Sequence, residues 1–258
     1  MTAQIKLERE AHIAKLTISN PPANTWTLES LNQLKELATE LSNDRSIYAL
    51  VLTGEGEKFF SAGADLNNFA SGDKSQAADM ALAFGEAFEA LSAFDGVSIA
   101  AINGYAMGGG LEVAMACDIA IAGDEAVFGL PEINWGHVPG GAASLKTIEF
   151  MGYRKALYYA MTGVGLNSKK AEEEGLITRS VAQTELLNEV TVLARLLAEK
   201  SPPALKTVKE IYRNASRMTI EQTHEFVNAK VDQLRLKDSD GLRHQGMNDF
   251  INKQLRTT

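Results

Sequence analysis

Cysteine is almost missing from this chain: 258 residues contain one, Cys117. A single thiol excludes an internal disulfide framework and a cysteine-rich zinc site. Histidine is scarce as well, and His12, His137, His224 and His244 form no HxxxH or HxH pair. No metal site is therefore expected. Long apolar runs are also lacking, since the longest, Leu111 to Ala122, is interrupted by Glu112 and Asp118. A membrane span needs ~20 apolar residues. The first ten residues, Met1 to Glu10, carry no apolar or Arg-rich leader pattern, so a cytoplasmic, reducing location is expected. Positive charge is in deficit too: 25 Lys and Arg face 33 Asp and Glu, for a net charge of −8. That balance argues against nucleic acid or an anionic membrane as partner. The deficit is uneven, because residues 200–258 hold eleven basic against seven acidic side chains.

What the chain does have is apolar patterning that changes its period. At 45% hydrophobic residues and this length, it can bury a core without covalent staples. Residues 12–18 alternate as a half-buried strand does, and Asn20-Pro21-Pro22-Ala23-Asn24 breaks the pattern. Leu28, Leu31, Leu34, Ala38 and Leu41 then recur at helical spacing, and Ile47 to Leu52 is an apolar run of strand length. A second such unit follows, with a helix over 75–92 and a strand over 97–102. Further strands are expected at 118–122 and 176–181. Strands alternating with helices predict an α/β layered core. From Glu185 the pattern is helical only, over 185–200, 203–214 and 219–236. The expected organisation is an α/β core, 1–184, and a C-terminal helical region, 185–258, serving oligomerisation and part of the active-site cover.

Three segments, each just after an expected strand, have the residues for chemistry. Ser61-Ala62-Gly63-Ala64-Asp65-Leu66 is small enough for a ligand to approach its backbone. Gly108-Gly109-Gly110 opens a helix and presents bare N–H groups at its positive end. Its spacing is neither a dinucleotide fingerprint nor a phosphate loop, since no GxGxxG and no following Lys is present. Phe128-Gly129-Leu130-Pro131-Glu132 is the third. Glu112 stands among Val113, Ala114, Met115 and Ala116, where a carboxylate must pair, accept hydrogen bonds or shift its pKa. Two carboxyls beside bare backbone donors suit acid–base chemistry on a substrate that develops an oxyanion.

These segments, with Asn103 to Glu112, Met161-Thr162-Gly163 and Ala171 to Leu176, resemble the enoyl-CoA hydratase/isomerase (crotonase) family over nearly the whole chain. The resemblance implies a crotonase-like spiral of ββα units with a C-terminal helical region, assembled as a homotrimer or a dimer of trimers. It implies a coenzyme A thioester as substrate, with CoA part of that substrate and no separate cofactor. Backbone N–H groups at Ala64 and Gly109 would form the oxyanion hole. Ala62, Gly63, Asp65, Leu66 and Gly108 would contact the substrate. Family members with Glu at both positions, here Glu112 and Glu132, are similar to hydratases. The implied reaction is addition of water to a trans-2-enoyl-CoA, as in fatty acid β-oxidation, with Glu112 activating water and Glu132 protonating C2.

Other readings within the family rest on other residues. Isomerases commonly work with one Glu, at the position of Glu132. Glu132-Ile133-Asn134-Trp135-Gly136 is similar to hydroxycinnamoyl-CoA hydratase-lyases, although those lack a Glu at the position of Glu112 and use tyrosines absent from Glu225 to Ala229 here. Lys209-Glu210-Ile211-Tyr212-Arg213 resembles carnitinyl-CoA dehydratases. After Glu132 the chain reads Pro139 to Lys146 in place of a stretch common in hydratases, which alters the expected acyl pocket. The early loop, Asn20 to Trp26, lacks the basic residue many members offer to the coenzyme's phosphates, so Lys253 and Arg256 are candidates for that task. A non-catalytic RNA binder would need a Lys-rich helix, whereas Leu28 to Asn43 holds Lys35 alone among Glu29, Glu36 and Glu40. A CoA binder without activity would leave both Glu residues without a task. Cys117 is expected as a buried filler, His137 as structural, Asp65 as fixing loop geometry, and Trp26 and Trp135 as core or acyl-pocket walls.

Overall fold

The computed structural model describes residues 4–65, 74–140, 142–237, 246–248 and 252. Leu66, Lys253 and Arg256 lie outside them. The first 195 residues form one compact unit and the remainder a second. In the first unit a six-stranded sheet runs in the order β1 (Gln4–Glu10), β2 (Ile13–Ser19), β3 (Ala49–Gly54), β5 (Val97–Ile102), β7 (Ile119–Gly123), β10 (Arg179–Val181). β1 pairs antiparallel with β2, and every other neighbour is parallel. All residues of β3 and β5 are buried, the behaviour of strands covered on both faces.

A second sheet, β4 (Phe59–Ser61), β6 (Tyr105–Met107), β8 (Val127–Gly129) and β9 (Leu166–Asn167), is built from strands of two or three residues. The chain passes from the large sheet to the small one and then into a helix. Thus β3 and β4 precede α2 (Lys74–Ser92), β5 and β6 precede α3 (Gly109–Ala116), and β7 and β8 precede a 3₁₀ turn, Pro131–Trp135. This is the expected ββα spiral. The buried Asn103 ties the exits of β3 and β5 together, and Asp118 ties the starts of β5 and β7. The Asn103 side chain accepts from the Gly54 N–H (3.1 Å) and donates to the carbonyls of Gly54 (3.0 Å) and Gly56 (2.7 Å). Asp118 accepts from the N–H and the hydroxyl of Ser98, both at 2.9 Å. In this way the exits of β3 and β5 are fixed to each other, and the three functional segments leave the small sheet side by side.

Helix α1 (Leu28–Asn43) starts at a capping box in which Thr27 and Ser30 satisfy each other's backbone N–H. It buries Leu31, Leu34, Ala38 and Leu41, the spacing seen in the sequence. After β8 come α4 (Ala143–Met151), α5 (Tyr153–Thr162), α6 (Ser168–Glu173) and α7 (Leu186–Ala198). The strand expected over 176–181 is only Arg179–Val181. Leu176 and Ile177 instead turn their N–H groups back to the Ala171 carbonyl (2.8 and 3.4 Å), closing the end of α6. The second unit contains α8 (Pro202–Ala215) and α9 (Ile220–Lys237), joined by an ion pair between Lys230 and Glu210 at 2.7 Å. Among the described residues no helix is long and apolar enough to cross a membrane.

Candidate active site

The first functional segment is held from below by the early loop. Asn24 donates to the carbonyls of Glu55 (3.0 Å) and Phe59 (2.8 Å), and the Ala62 N–H donates to Ala23 O (2.9 Å). Ser61 Oγ accepts the Gly63 N–H at 3.1 Å. Trp26 then pairs with Ala64 as a parallel bridge. Its N–H donates to Gly63 O (2.8 Å), and its carbonyl accepts from the Asp65 N–H (3.0 Å). A bridge of this kind uses the amides on either side of Ala64 and leaves the Ala64 N–H free to point elsewhere. The Asp65 backbone N–H thus helps to fix the loop geometry.

Gly63 adopts φ +90°, and a Cβ there would lie 2.7 Å from Met107 O and 3.1 Å from the Gly109 nitrogen. Only glycine fits that conformation and that approach. The contact brings the two predicted donors, Ala64 and Gly109, together. Among the described residues neither N–H is given to an acceptor. Gly109 is the first residue of α3, so its N–H lies at the positive end of the helix.

Glu112 sits in the first turn of α3, all eight residues of which are buried. Burial is the main cause that pushes its carboxyl from an ordinary 4.5 to about 8; the charge of Glu132 adds to this, and a hydrogen bond from the Gly140 backbone opposes it. Glu132, on the 3₁₀ turn, is also raised by burial, against its own backbone N–H and the charge of His137. Gly108 connects the two. Its carbonyl accepts the Glu112 N–H at 3.0 Å, its N–H donates to Gly129 O at 2.9 Å, and it has φ +53°. A Cβ on Gly108 would lie 2.8 Å from Glu132 Oε1. On each carboxyl, Oε2 is shielded from solvent and has no hydrogen-bond partner among the described residues. Buried carboxyl oxygens left open in this way are costly unless a ligand uses them.

The fold therefore brings Ala62, Gly63, Ala64, Asp65, Gly108, Gly109, Glu112 and Glu132 into one region. The arrangement offers two free backbone donors for an oxygen that gains negative charge and two carboxyls that hold or accept protons. Gly140, whose backbone reaches Glu112, was not singled out in the sequence beyond belonging to an unusual stretch. Trp26 is fully buried, whereas Trp135 is 49% exposed and walls no core. Cys117 is a buried free thiol. The His137 N–H donates to Glu132 O at 3.0 Å, and its side chain is close enough for its charge to act on Glu132. Among the described residues no group of three His, Cys, Asp or Glu could hold a metal ion.

Known proteins are similar to this chain in sequence and in fold. A hydroxycinnamoyl-CoA hydratase-lyase of Pseudomonas fluorescens is 37% identical over 254 residues, covering 96% of this chain and 91% of that protein. A carnitinyl-CoA dehydratase of Escherichia coli (strain K12) is 33% identical over 231 residues, covering 90% and 88%. The crystal structure of an enoyl-CoA hydratase from Bacillus anthracis superposes with a TM-score of 0.92 at 27% identity, covering 96% of both chains. The family model for enoyl-CoA hydratase/isomerase matches residues 8–256. With the ββα spiral, the paired N–H donors, the buried Glu112 and the half-buried Glu132 in place, the chain belongs to the enoyl-CoA hydratase/isomerase family.

Proposed function

We propose that the protein is a hydratase that reversibly adds water to a trans-2-enoyl-CoA thioester. The observation that carries this reading is the second carboxyl: the buried Glu112 joins the half-buried Glu132 beside the two free N–H groups. A site that only moves a double bond needs one proton-transfer group, whereas water addition uses one at C3 and one at C2. In the forward direction Glu112 takes a proton from water as its oxygen bonds to C3. Glu132 gives a proton to C2, and the thioester oxygen carries the intermediate charge between the Ala64 and Gly109 N–H groups. Each such donor is worth about 3–4 kcal/mol in related chemistry.

At neutral pH burial favours a proton on Glu112, while the charge of His137 opposes the upward push of burial on Glu132. That distribution is where the reverse reaction starts, with Glu132 taking the C2 proton and Glu112 protonating the leaving hydroxyl. The names of the similar hydratase-lyase and dehydratase fit a site that works in both directions. In this reading CoA enters only as part of the substrate, without a separate cofactor, and the enzyme is cytoplasmic. Exposed apolar side chains on α4 and α5, among them Leu145, Ile148, Tyr153, Leu157 and Met161, support assembly with further copies as a trimer or dimer of trimers.

The test is to mix the protein with crotonyl-CoA and follow loss of the conjugated thioester's near-ultraviolet absorbance. Approach to equilibrium from 3-hydroxybutyryl-CoA runs in parallel. Hydration from one side and dehydration from the other is the expected result; no change in either overturns a short-chain hydratase. A second reading rests on the 37% identity to a hydroxycinnamoyl-CoA hydratase-lyase, and turnover of a hydroxycinnamoyl-CoA in place of crotonyl-CoA would favour it.

A further inference from the structure

Three aromatic rings form a continuous contact between the two N–H donors. Trp26 is fully buried and carries Ala64 through its backbone bridge. Its indole meets the Phe88 ring edge-on at 6.1 Å between centroids and 74° between planes. Phe88 in turn meets Phe84 at 5.4 Å and 64°. The Phe84 ring ends on Gly109: a Cβ there would lie 2.7 Å from Cε1 and 3.1 Å from Cζ. Phe84 and Phe88 share one face of α2 at i, i+4 spacing, so a rigid helix keeps the last two rings in step. Edge-to-face ring pairs have a preferred geometry and a preferred range of separation.

Core packing alone does not account for the set. Among the described residues the Trp26 indole N–H is buried without an acceptor, an arrangement that costs stability. Phe84 keeps part of its ring exposed although it reaches the start of α3. We propose that Trp26, Phe88 and Phe84 form a strut that sets the spacing of the Ala64 and Gly109 N–H groups, with Phe84 the positioning residue at its open end. The inference rests on the hydratase reading for its catalytic consequence, but the strut itself is a property of the free protein. A donor displaced by a fraction of an ångström meets the ground-state carbonyl almost as well and the developing oxyanion less well.

The variants are Phe84→Ala, which removes the ring, and Phe84→Tyr, which keeps it, each checked for folding by circular dichroism. Backbone amide NMR of the free protein is the first readout. With an intact strut, Phe84→Ala shifts the Ala64 amide as well as that of Gly109, and Phe84→Tyr shifts Ala64 little. A shift at Gly109 with Ala64 unchanged overturns the proposal whatever reaction the enzyme performs. The second readout is turnover of crotonyl-CoA with infrared difference spectra of the bound thioester carbonyl. Phe84→Ala is expected to lower kcat about tenfold or more with KM within about twofold, and to reduce the carbonyl's red shift. Phe84→Tyr keeps both near wild type. A rise in KM alone, with kcat and carbonyl shift unchanged, makes Phe84 a pocket wall and refutes the strut. An Ala64 amide that shifts in Phe84→Ala as expected, in a protein whose wild type turns over no enoyl-CoA, refutes the hydratase reading and leaves the strut standing.

Discussion

Replacing Glu112 by Gln removes an ionisation that the fold disfavours. The carboxyl is raised from 4.5 to about 8, mainly by burial, so the folded protein holds a proton that the unfolded chain releases. Linkage gives the sign: this group's contribution to stability is complete below the unfolded value and is lost as pH rises through the folded one. A shift of this size corresponds to about 4 kcal/mol at pH 8 and about 1 kcal/mol at pH 5, at 1.36 kcal/mol per unit. Local relaxation and coupling to Glu132 reduce the difference between the two pH values to about 2–3 kcal/mol. For a chain of this length each kcal/mol moves Tm by roughly 2–4 °C. Glu112→Gln, which cannot ionise, is therefore expected to gain roughly 5–10 °C on the wild type between pH 5 and pH 8. Scanning calorimetry of both proteins at fixed concentration across that range measures the gain. An unchanged difference in Tm would refute the claim that Glu112 is held protonated by burial.

Other expectations follow from the same geometry. Glu112→Gln and Glu132→Gln should each lower kcat for crotonyl-CoA by about 10²–10⁴ with the fold retained, as removal of a placed acid–base group does; stopped or steady-state absorbance assays decide. Dehydration of 3-hydroxybutyryl-CoA should fall as pH rises through about 8, because Glu112 then loses the proton it donates; a rate flat to pH 9 would contradict that role. Gly108→Ala should reduce activity by at least about tenfold, since its Cβ would meet Glu132 Oε1 at 2.8 Å in a backbone conformation with φ +53°. Leu157→Glu together with Met161→Glu should shift the protein to a smaller assembly in light scattering, because both extend the apolar face of α4 and α5.

Much of the site was legible in the sequence because small residues and carboxyls in apolar surroundings are unusual on chemical grounds. Glu112 within an apolar helix and the glycines at 63 and 108–110 could be read directly, and the structure brings them together with Glu132. The long strands β3 and β5 were legible as apolar runs of the right length. The small sheet was not, because strands of two or three residues, such as β6 and β9, carry no period. α4 and α5 escaped for another reason. Their exposed apolar side chains, including Phe150 and Tyr158, blur the two-sided pattern that marks a helix in a lone chain. Nor could spacing show that Trp26 pairs with Ala64, because that bridge joins residues 38 positions apart. The Phe84 contact with Gly109 is of the same kind, a tertiary approach without a local signature.

The central claim is that Glu132 handles the C2 proton while the Ala64 and Gly109 N–H groups hold the charge. Exchange of the C2 protons of butyryl-CoA in deuterium oxide, followed by NMR, tests it without requiring water addition. The wild type and Glu112→Gln should both wash deuterium into C2, and Glu132→Gln should not. Exchange that survives in Glu132→Gln and disappears in Glu112→Gln would contradict the assignment of the two carboxyls.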